Sequence, residues 1–220
     1  DEKQDGVRFN DSAFVSIEDS VQLLTDTADA GLSTTGDDGG IRVGVLGVFE
    51  GDNTGFLAMV NQLNDDSYFD FTATLVNAAQ VDTLTELANF DVLVIGNNGL
   101  DRATGDDFGY GAFAANLAQW VRNGGGVVAT GWFLDGSQDE TPEVQDALGK
   151  TVPVVLPNSE FANGGTVDFI VKHPVTDGVT DFTLVSGDFV ELPADGAAEG
   201  ATVLATTVSS GIALPSVVVR

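Results

Sequence analysis

Short apolar runs alternate with amphipathic segments over the middle of the chain. Runs rich in β-branched residues, typical of buried parallel strands, lie at 42–48, 69–76, 91–95 and 127–130. Between the first two, one face of a 3.6-residue period carries apolar residues at 56, 57, 60 and 63, which predicts a helix. This alternation predicts an α/β fold, a three-layer core with a mainly parallel sheet and a flavodoxin-like layout.

Residues 91–132 contain one complete β-α-β unit. The strand at 91–95 is followed by a loop and then by a helix with Phe113, Leu117 and Trp120 on one face. Glycines at 124–126 end that helix, and the next buried strand follows at once. A further helix is predicted from Thr141, the expected N-cap, to residue 148.

The second half of the domain changes character after Gly149. Strands are predicted at 151–156, 166–172, 183–192, 202–208 and 216–219, with no strong helix among them. We therefore expect strands added to the α/β core in the C-terminal half.

Residues 1–40 differ from the rest and are predicted to form a separate β-rich arm. Alternating apolar and polar residues at 7–10 and 13–17 predict two short strands. Residues 26–40 are rich in Asp, Gly, Thr and Ser and predict a linker. The expected organisation is an arm at 1–40 and a domain at 41–220. Because the last residues form an apolar strand, we expect either that the chain is one piece of a larger parent protein or that another segment completes the sheet.

Charge is the extreme feature of the composition. There are 34 acidic and 8 basic residues, for a net charge of −26. Such a surface repels phosphate backbones and anionic lipid, which argues against nucleic acid and membrane partners. It fits a saline or calcium-containing exterior, so we expect an extracellular or cell-surface protein. With no cysteine and one histidine, the chain has no disulfide, no thiolate zinc site and no cysteine nucleophile.

Two motifs give the domain a family resemblance. Residues 120–126, WVRNGGG, and 173–179, HPVTDGV, resemble segments of the class I glutamine amidotransferase-like superfamily, closest to its trehalose-utilisation-protein-like group. The resemblance implies that superfamily's α/β fold over residues 41–220. It also implies that the chain lacks the last strand and helix of that group.

The catalytic positions of that superfamily are not matched. Gly131 and Trp132 stand where its amidotransferases have a cysteine at a tight turn, and Val175 follows His173-Pro174 where they have a glutamate. The resemblance therefore implies a domain without the known catalytic residues, and we predict no catalytic residue here.

Polar residues are predicted to collect where the parallel strands end. In open α/β sheets, ligands bind outside the carboxyl ends of the strands. The candidate ligand-binding residues are Glu50, Asp52, Asn53, Asn97, Asn98, Trp132 and His173. Carboxylates, amides and an indole suit a sugar or a cation, but Asx residues also cap helices and form turns. His173 is equally explained as a residue that fixes the turn before Pro174.

Aspartate-rich segments offer oxygen ligands for calcium. The candidate metal ligands are Asp37, Asp38, Asp106 and Asp107. None of these segments has the spacing of an EF-hand, so solvated loops are the alternative.

Two functions remain open on this basis. The first is a non-catalytic structural or interaction domain of a secreted or surface protein, self-assembling through its arm by strand addition to a neighbouring sheet. The second is a carbohydrate-binding domain, or a degenerate carbohydrate-active enzyme, using the strand-end residues. A hydrolase with Glu50 and Asp52 as its carboxylate pair is a weaker third reading.

Overall fold

The computed structural model describes residues 6–8, 14–16, 40–47, 54–65, 71–96, 110–138, 140–176 and 179–220. Its strands are β1 Gly6–Arg8, β2 Phe14–Ser16, β3 Ile41–Leu46, β4 Phe71–Val76, β5 Val92–Ile95, β6 Gly126–Ala129, β7 Ser159–Phe169, β8 Phe182–Pro193, β9 Thr202–Ser209 and β10 Ile212–Val219. Its α-helices are α1 Thr54–Asp65, α2 Leu84–Leu87, α3 Gly111–Arg122, α4 Gly131–Gln138 and α5 Pro142–Gly149. Short 3-10 turns lie at Ala78–Gln80 and Pro174–Thr176.

Four parallel strands form the first sheet, in the order β4-β3-β5-β6. The predicted α/β fold with a parallel sheet is confirmed, and this strand order is compatible with a flavodoxin-like layout. Helices connect successive strands, as parallel pairing requires.

Apolar side chains cover both faces of this sheet. In β5, Val92 and Val94 belong to one core cluster, whereas Leu93 and Ile95 belong to another, because successive side chains of a strand point to opposite faces. The first cluster includes the α1 residues Met59, Val60 and Leu63. The second includes the α3 residues Phe113, Leu117 and Trp120. The sheet is therefore enclosed between α1 and α3.

The three glycines between α3 and β6 each meet a different requirement. Gly124 has φ 107°, a left-handed conformation that side chains disfavour. A Cβ on Gly125 would lie 2.3 Å from the Trp120 indole. Gly126 is buried and starts β6. The chain can thus reverse at the end of α3 while Trp120 stays in the core.

The C-terminal strands form a sheet of their own. The order is β10-β9-β7-β8 and every pairing is antiparallel, so the strands expected in the C-terminal half are present as a separate sheet beside the parallel one. The two-residue connection between β9 and β10 allows only an antiparallel hairpin, because parallel neighbours need a crossover of about a dozen residues or more. Ser210 and Gly211 join β9 to β10 with φ values of 50° and 82°, the positive values that tight hairpin turns need.

Two segments differ from their predicted structure. Residues 151–156 form turns and one isolated bridge at Val154, not a strand, since Pro153 has no N–H to donate to a ladder. Residues 131–138 form helix α4, where no helix was predicted. Phe133, Leu134 and Ser137 are buried on one side of it, so tertiary packing stabilises a helix despite Gly131 and Gly136.

An ion pair joins the amino ends of β3 and β5. The Arg42 guanidinium donates to both carboxylate oxygens of Asp91, at 3.0 and 2.7 Å, and the Arg42 N–H donates to the same carboxylate at 2.9 Å. Burial acts to raise the pKa of Asp91, but the hydrogen bonds and charge of Arg42 outweigh it and lower that pKa.

We expect this pair to stabilise the fold at neutral pH and not in acid. Because the folded-state pKa of Asp91 is lowered, its contribution is present above the unfolded pKa of about 3.9 and is lost as the pH falls through the folded value. The Asp91→Asn variant should lose about 1 kcal/mol or less near pH 7, since the pair is partly exposed. Urea unfolding should show that loss disappearing as the pH falls through the folded-state pKa of Asp91. A loss of equal size at neutral and at acid pH would contradict the ion-pair explanation.

Candidate functional site

The two edges of the parallel sheet differ in how their backbone groups are satisfied. At the β4 edge, the Asn64 side chain from α1 donates to the Ala73 carbonyl at 3.0 Å and accepts from the Ala73 N–H at 2.7 Å. One amide thus makes the two hydrogen bonds that a neighbouring strand would make. Such a contact protects an edge from pairing with another chain.

The β6 edge has no such protection among the described residues. Gly126 donates to the Asp91 carbonyl and Thr130 to the Ile95 carbonyl, so alternate residues of β6 face β5. Val127 and Ala129 therefore direct their N–H and C=O groups away from β5. Within the described part of the chain, no hydrogen bond engages these four groups.

This open edge runs along a cleft of about 250 Å³ between β6 and the C-terminal strand β10. Residues from four separate parts of the chain line it. The first part is residues 121, 125–131, 133 and 134, the second is residues 151–154, the third is residues 191–193, and the fourth is residues 215, 216 and 218–220. The cleft is thus the space beside β6 where a further strand of the sheet would lie.

Close backbone contact between α4 and β8 sets the shape of the cleft. A Cβ on Gly131 would lie 2.4 Å from the carbonyl oxygen of Glu191, so only glycine allows this approach. A chain of side-chain hydrogen bonds supports the contact. Gln138 of α4 donates to the Ser159 hydroxyl at 2.9 Å, and that hydroxyl donates to the Glu191 carboxylate at 2.6 Å.

Two hydroxyl groups at the cleft are buried and have no hydrogen-bond partner among the described residues. They are Thr130 Oγ1, just after β6, and Ser216 Oγ, in β10. Ser216 lies where the β9–β10 register shifts between Pro215 and Val217. Leaving a buried hydroxyl unpaired costs about 1–3 kcal/mol. A polar occupant of the cleft would reduce that cost.

A buried tyrosine begins α3 near the carboxyl end of the parallel sheet. Tyr110 is completely buried, its N–H donates to the Glu140 carboxylate at 2.6 Å, and its hydroxyl has no partner. Burial and then the charge of Glu140 raise the pKa of Tyr110. Its phenol is therefore neutral over the physiological pH range and can act only as a hydrogen-bonding group.

Most of the predicted site residues lie outside the described residues. These are the ligand candidates Glu50, Asp52, Asn53, Asn97 and Asn98, and the metal candidates Asp37, Asp38, Asp106 and Asp107. Trp132 is in the first turn of α4, just beyond the carboxyl end of β6. It follows the cleft residue Gly131 directly.

The single histidine forms hydrogen bonds within a turn. His173 Nδ1 accepts the Val175 N–H at 3.2 Å, and the His173 carbonyl accepts the Thr176 N–H at 3.0 Å. These bonds hold the turn that begins at Pro174. His173 does not line the cleft.

Neither a metal cluster nor a membrane helix occurs in the described ranges. There, no group of three His, Cys, Asp or Glu residues is arranged to hold a metal ion. None of the helices there has the length and apolar character that crossing a bilayer demands. What the cleft offers is backbone groups at strand spacing, two hydroxyls and the nine-tenths buried residue Glu191.

The comparisons with known proteins establish a likeness of fold. The chain is similar to a crystal structure of a protein from Bacteroides uniformis ATCC 8492 that is described only as ThuA-like. The TM-score is 0.50 at 14% identity, over 84% of this chain and 80% of the other. No family model matches the chain, and no curated protein does. ThuA has a class I glutamine amidotransferase-like fold, so the relationship shown is one of fold alone.

Proposed function

We propose that this chain is a non-catalytic interaction domain of a secreted or surface protein, and that it binds an extended polypeptide segment at the β6 edge. The single observation that carries the proposal is the contrast between the two sheet edges. Asn64 engages both outward backbone groups of Ala73 in the middle of the β4 edge, whereas, within the described residues, Val127 and Ala129 present unengaged backbone groups to a cleft.

The chemistry of the edge favours a polypeptide as the occupant. Residues 127 and 129 offer N–H and C=O groups that alternate along the strand, roughly 7 Å apart. A polypeptide main chain repeats donors and acceptors at the same spacing, which is the basis of strand addition. The net charge of −26 disfavours strongly acidic partners. It also supports the proposed extracellular or surface location.

We also propose that the chain belongs to the trehalose-utilisation-protein-like group, as a member without catalytic residues. The motifs at 120–126 and 173–179 and the likeness of fold support this. Glycine at 131 is consistent with the loss of the nucleophile, because any side chain there would meet the Glu191 backbone.

Selection of displayed peptides on the folded protein tests strand binding. We expect peptides that bind the wild type and bind the Ala129→Pro variant about tenfold more weakly. Proline removes one outward N–H without removing a bond to β5, and one hydrogen bond contributes about 1 kcal/mol or somewhat more. Ala129→Ser keeps the N–H and is the matched control, expected to bind within about twofold of the wild type.

Hydrogen exchange at single amides tests whether the β6 edge is free in the monomer. In the free protein, the Val127 and Ala129 amides should exchange rapidly, while the Val128 amide, which faces β5, should be protected. Slow exchange at 127 and 129 in the monomer would mean that the edge is already occupied within the chain. That result, or peptides that bind Ala129→Pro as well as the wild type, would overturn the proposal.

A further inference from the structure

We infer that the occupant of the cleft is the N-terminal arm of a second copy of this chain, so that copies join head to tail. The inference rests on the proposed strand-binding function and names its partner. The part of the arm that would bind is residues 1–24, which include β1 and β2.

The arm pairs only with itself in the described residues. Gly6–Arg8 pairs with Phe14–Ser16 over three residues each, and neither strand belongs to the two larger sheets. An isolated two-stranded ribbon of this length is at best marginally stable in water. Its outer edges would gain hydrogen bonds by joining a larger sheet.

The arm and the cleft are different surfaces of the molecule. β1 lies against α1, which covers one face of the parallel sheet, whereas the cleft lies at the β6 edge of that sheet. An arm seated on α1 therefore does not occupy the cleft. A contact between two different surfaces of the same molecule is heterologous, and it produces an open chain of subunits unless the rotation closes a ring.

Charge predicts how this contact responds to salt. Two copies with a net charge of −26 repel each other at low ionic strength, and salt screens that repulsion. Assembly through this contact should therefore strengthen as salt is added.

The test combines light scattering of the full chain with binding of a labelled synthetic peptide of residues 1–24. We expect the wild type to self-associate more strongly at high salt, and the peptide to compete with that association. Ala129→Pro should weaken both self-association and peptide binding about tenfold, and Ala129→Ser should preserve both. These two variants probe the acceptor edge.

A second pair of variants probes the donor. Val15→Asp places a charge in β2 and should weaken self-association about tenfold while leaving the cleft able to bind the wild-type peptide. Thr27→Asp adds the same charge outside residues 1–24 and should associate like the wild type. Circular dichroism of all four variants confirms that each is folded.

The outcomes separate this inference from the function on which it rests. If displayed peptides bind at β6 but the full chain stays monomeric and the 1–24 peptide does not bind, the second copy is the wrong occupant and the strand-binding function stands. If Ala129→Pro self-associates as strongly as the wild type, the contact lies elsewhere and the inference is wrong. If neither displayed peptides nor the 1–24 peptide binds, both proposals are wrong.

Discussion

Replacing Phe133 with alanine is expected to lower the free energy of unfolding by about 3–5 kcal/mol. Phe133 is fully buried, and its ring meets that of Tyr110 edge-on, with centroids 5.4 Å apart and planes at 63°. Alanine would leave a cavity between α4 and the second core cluster, where Leu134, Leu148 and Val152 also pack. Urea unfolding followed by circular dichroism measures the loss.

Phe161 offers a control of the same side-chain chemistry. Its side chain is 49% exposed in β7, so Phe161→Ala should cost well under half as much as Phe133→Ala, about 1 kcal/mol. Equal losses at the two positions would show that α4 is not packed as described. Because Phe133 also lines the cleft, its truncation should weaken peptide binding as well.

The second large effect is expected from adding one methyl group. Gly131→Ala would place Cβ 2.4 Å from the Glu191 carbonyl oxygen and 3.1 Å from the Glu191 nitrogen. Both are backbone atoms, so no side-chain rotation relieves the clash, and α4 must move away from β8. We expect a loss of about 3 kcal/mol in the free energy of unfolding, the upper part of the usual range for overpacking.

Gly149 supplies the matched substitution for this case. It ends α5, and a Cβ there would meet no atom within 4 Å. Gly149→Ala should therefore be neutral, or stabilising by about 0.4–1 kcal/mol, because alanine reduces the entropy of the unfolded chain. A Gly131→Ala variant as stable as Gly149→Ala would refute the close contact between α4 and β8.

Local sequence patterns were sufficient to predict an element where its own residues determine its structure through burial, capping and turn formation. The β-α-β unit at 91–132 was predicted from buried runs, one helical face and a glycine stop, and its two strands and α3 are present. Thr141 caps α5 by accepting from Val144, with Pro142 at the first turn, as its sequence indicated. In these cases propensity, capping and burial all favour the same structure.

Local patterns failed where contacts distant in sequence decide the structure. α4 has two glycines, and only its burial against β8 and the core makes it helical. Residues 151–156 look like a strand by composition, but they lack a partner ladder beyond the Val154 bridge to Ala197. The cleft was not predicted, because it joins residues near 127 to residues near 216; the sequence indicated only an unfinished sheet edge at the last strand. The two buried hydroxyls that line the cleft, those of Thr130 and Ser216, cannot be recognised from the sequence.

The candidate residues at the strand ends remain predictions. Glu50 and Asp52 would follow β3, and Asn97 and Asn98 would follow β5, beyond the described Gly47 and Gly96. The sequence indicated a site at the carboxyl ends of the strands from a general property of parallel sheets. It could not show whether β6 is a better binding site, because that depends on which backbone groups of the edge strands are already hydrogen-bonded by side chains.

The Asn64 contact makes chemical ageing relevant to this protein. Hydrolysis of the Asn64 amide to a carboxylate would remove the donor to the Ala73 carbonyl and leave only an acceptor. The exposed position of Asn64 at the end of α1, directly before Asp65, leaves it open to water. A deamidated molecule would lose this protection at Ala73 in the middle of the β4 edge. If copies associate end to end as proposed, stored samples should change from directional association towards branched, irregular aggregation as deamidation proceeds.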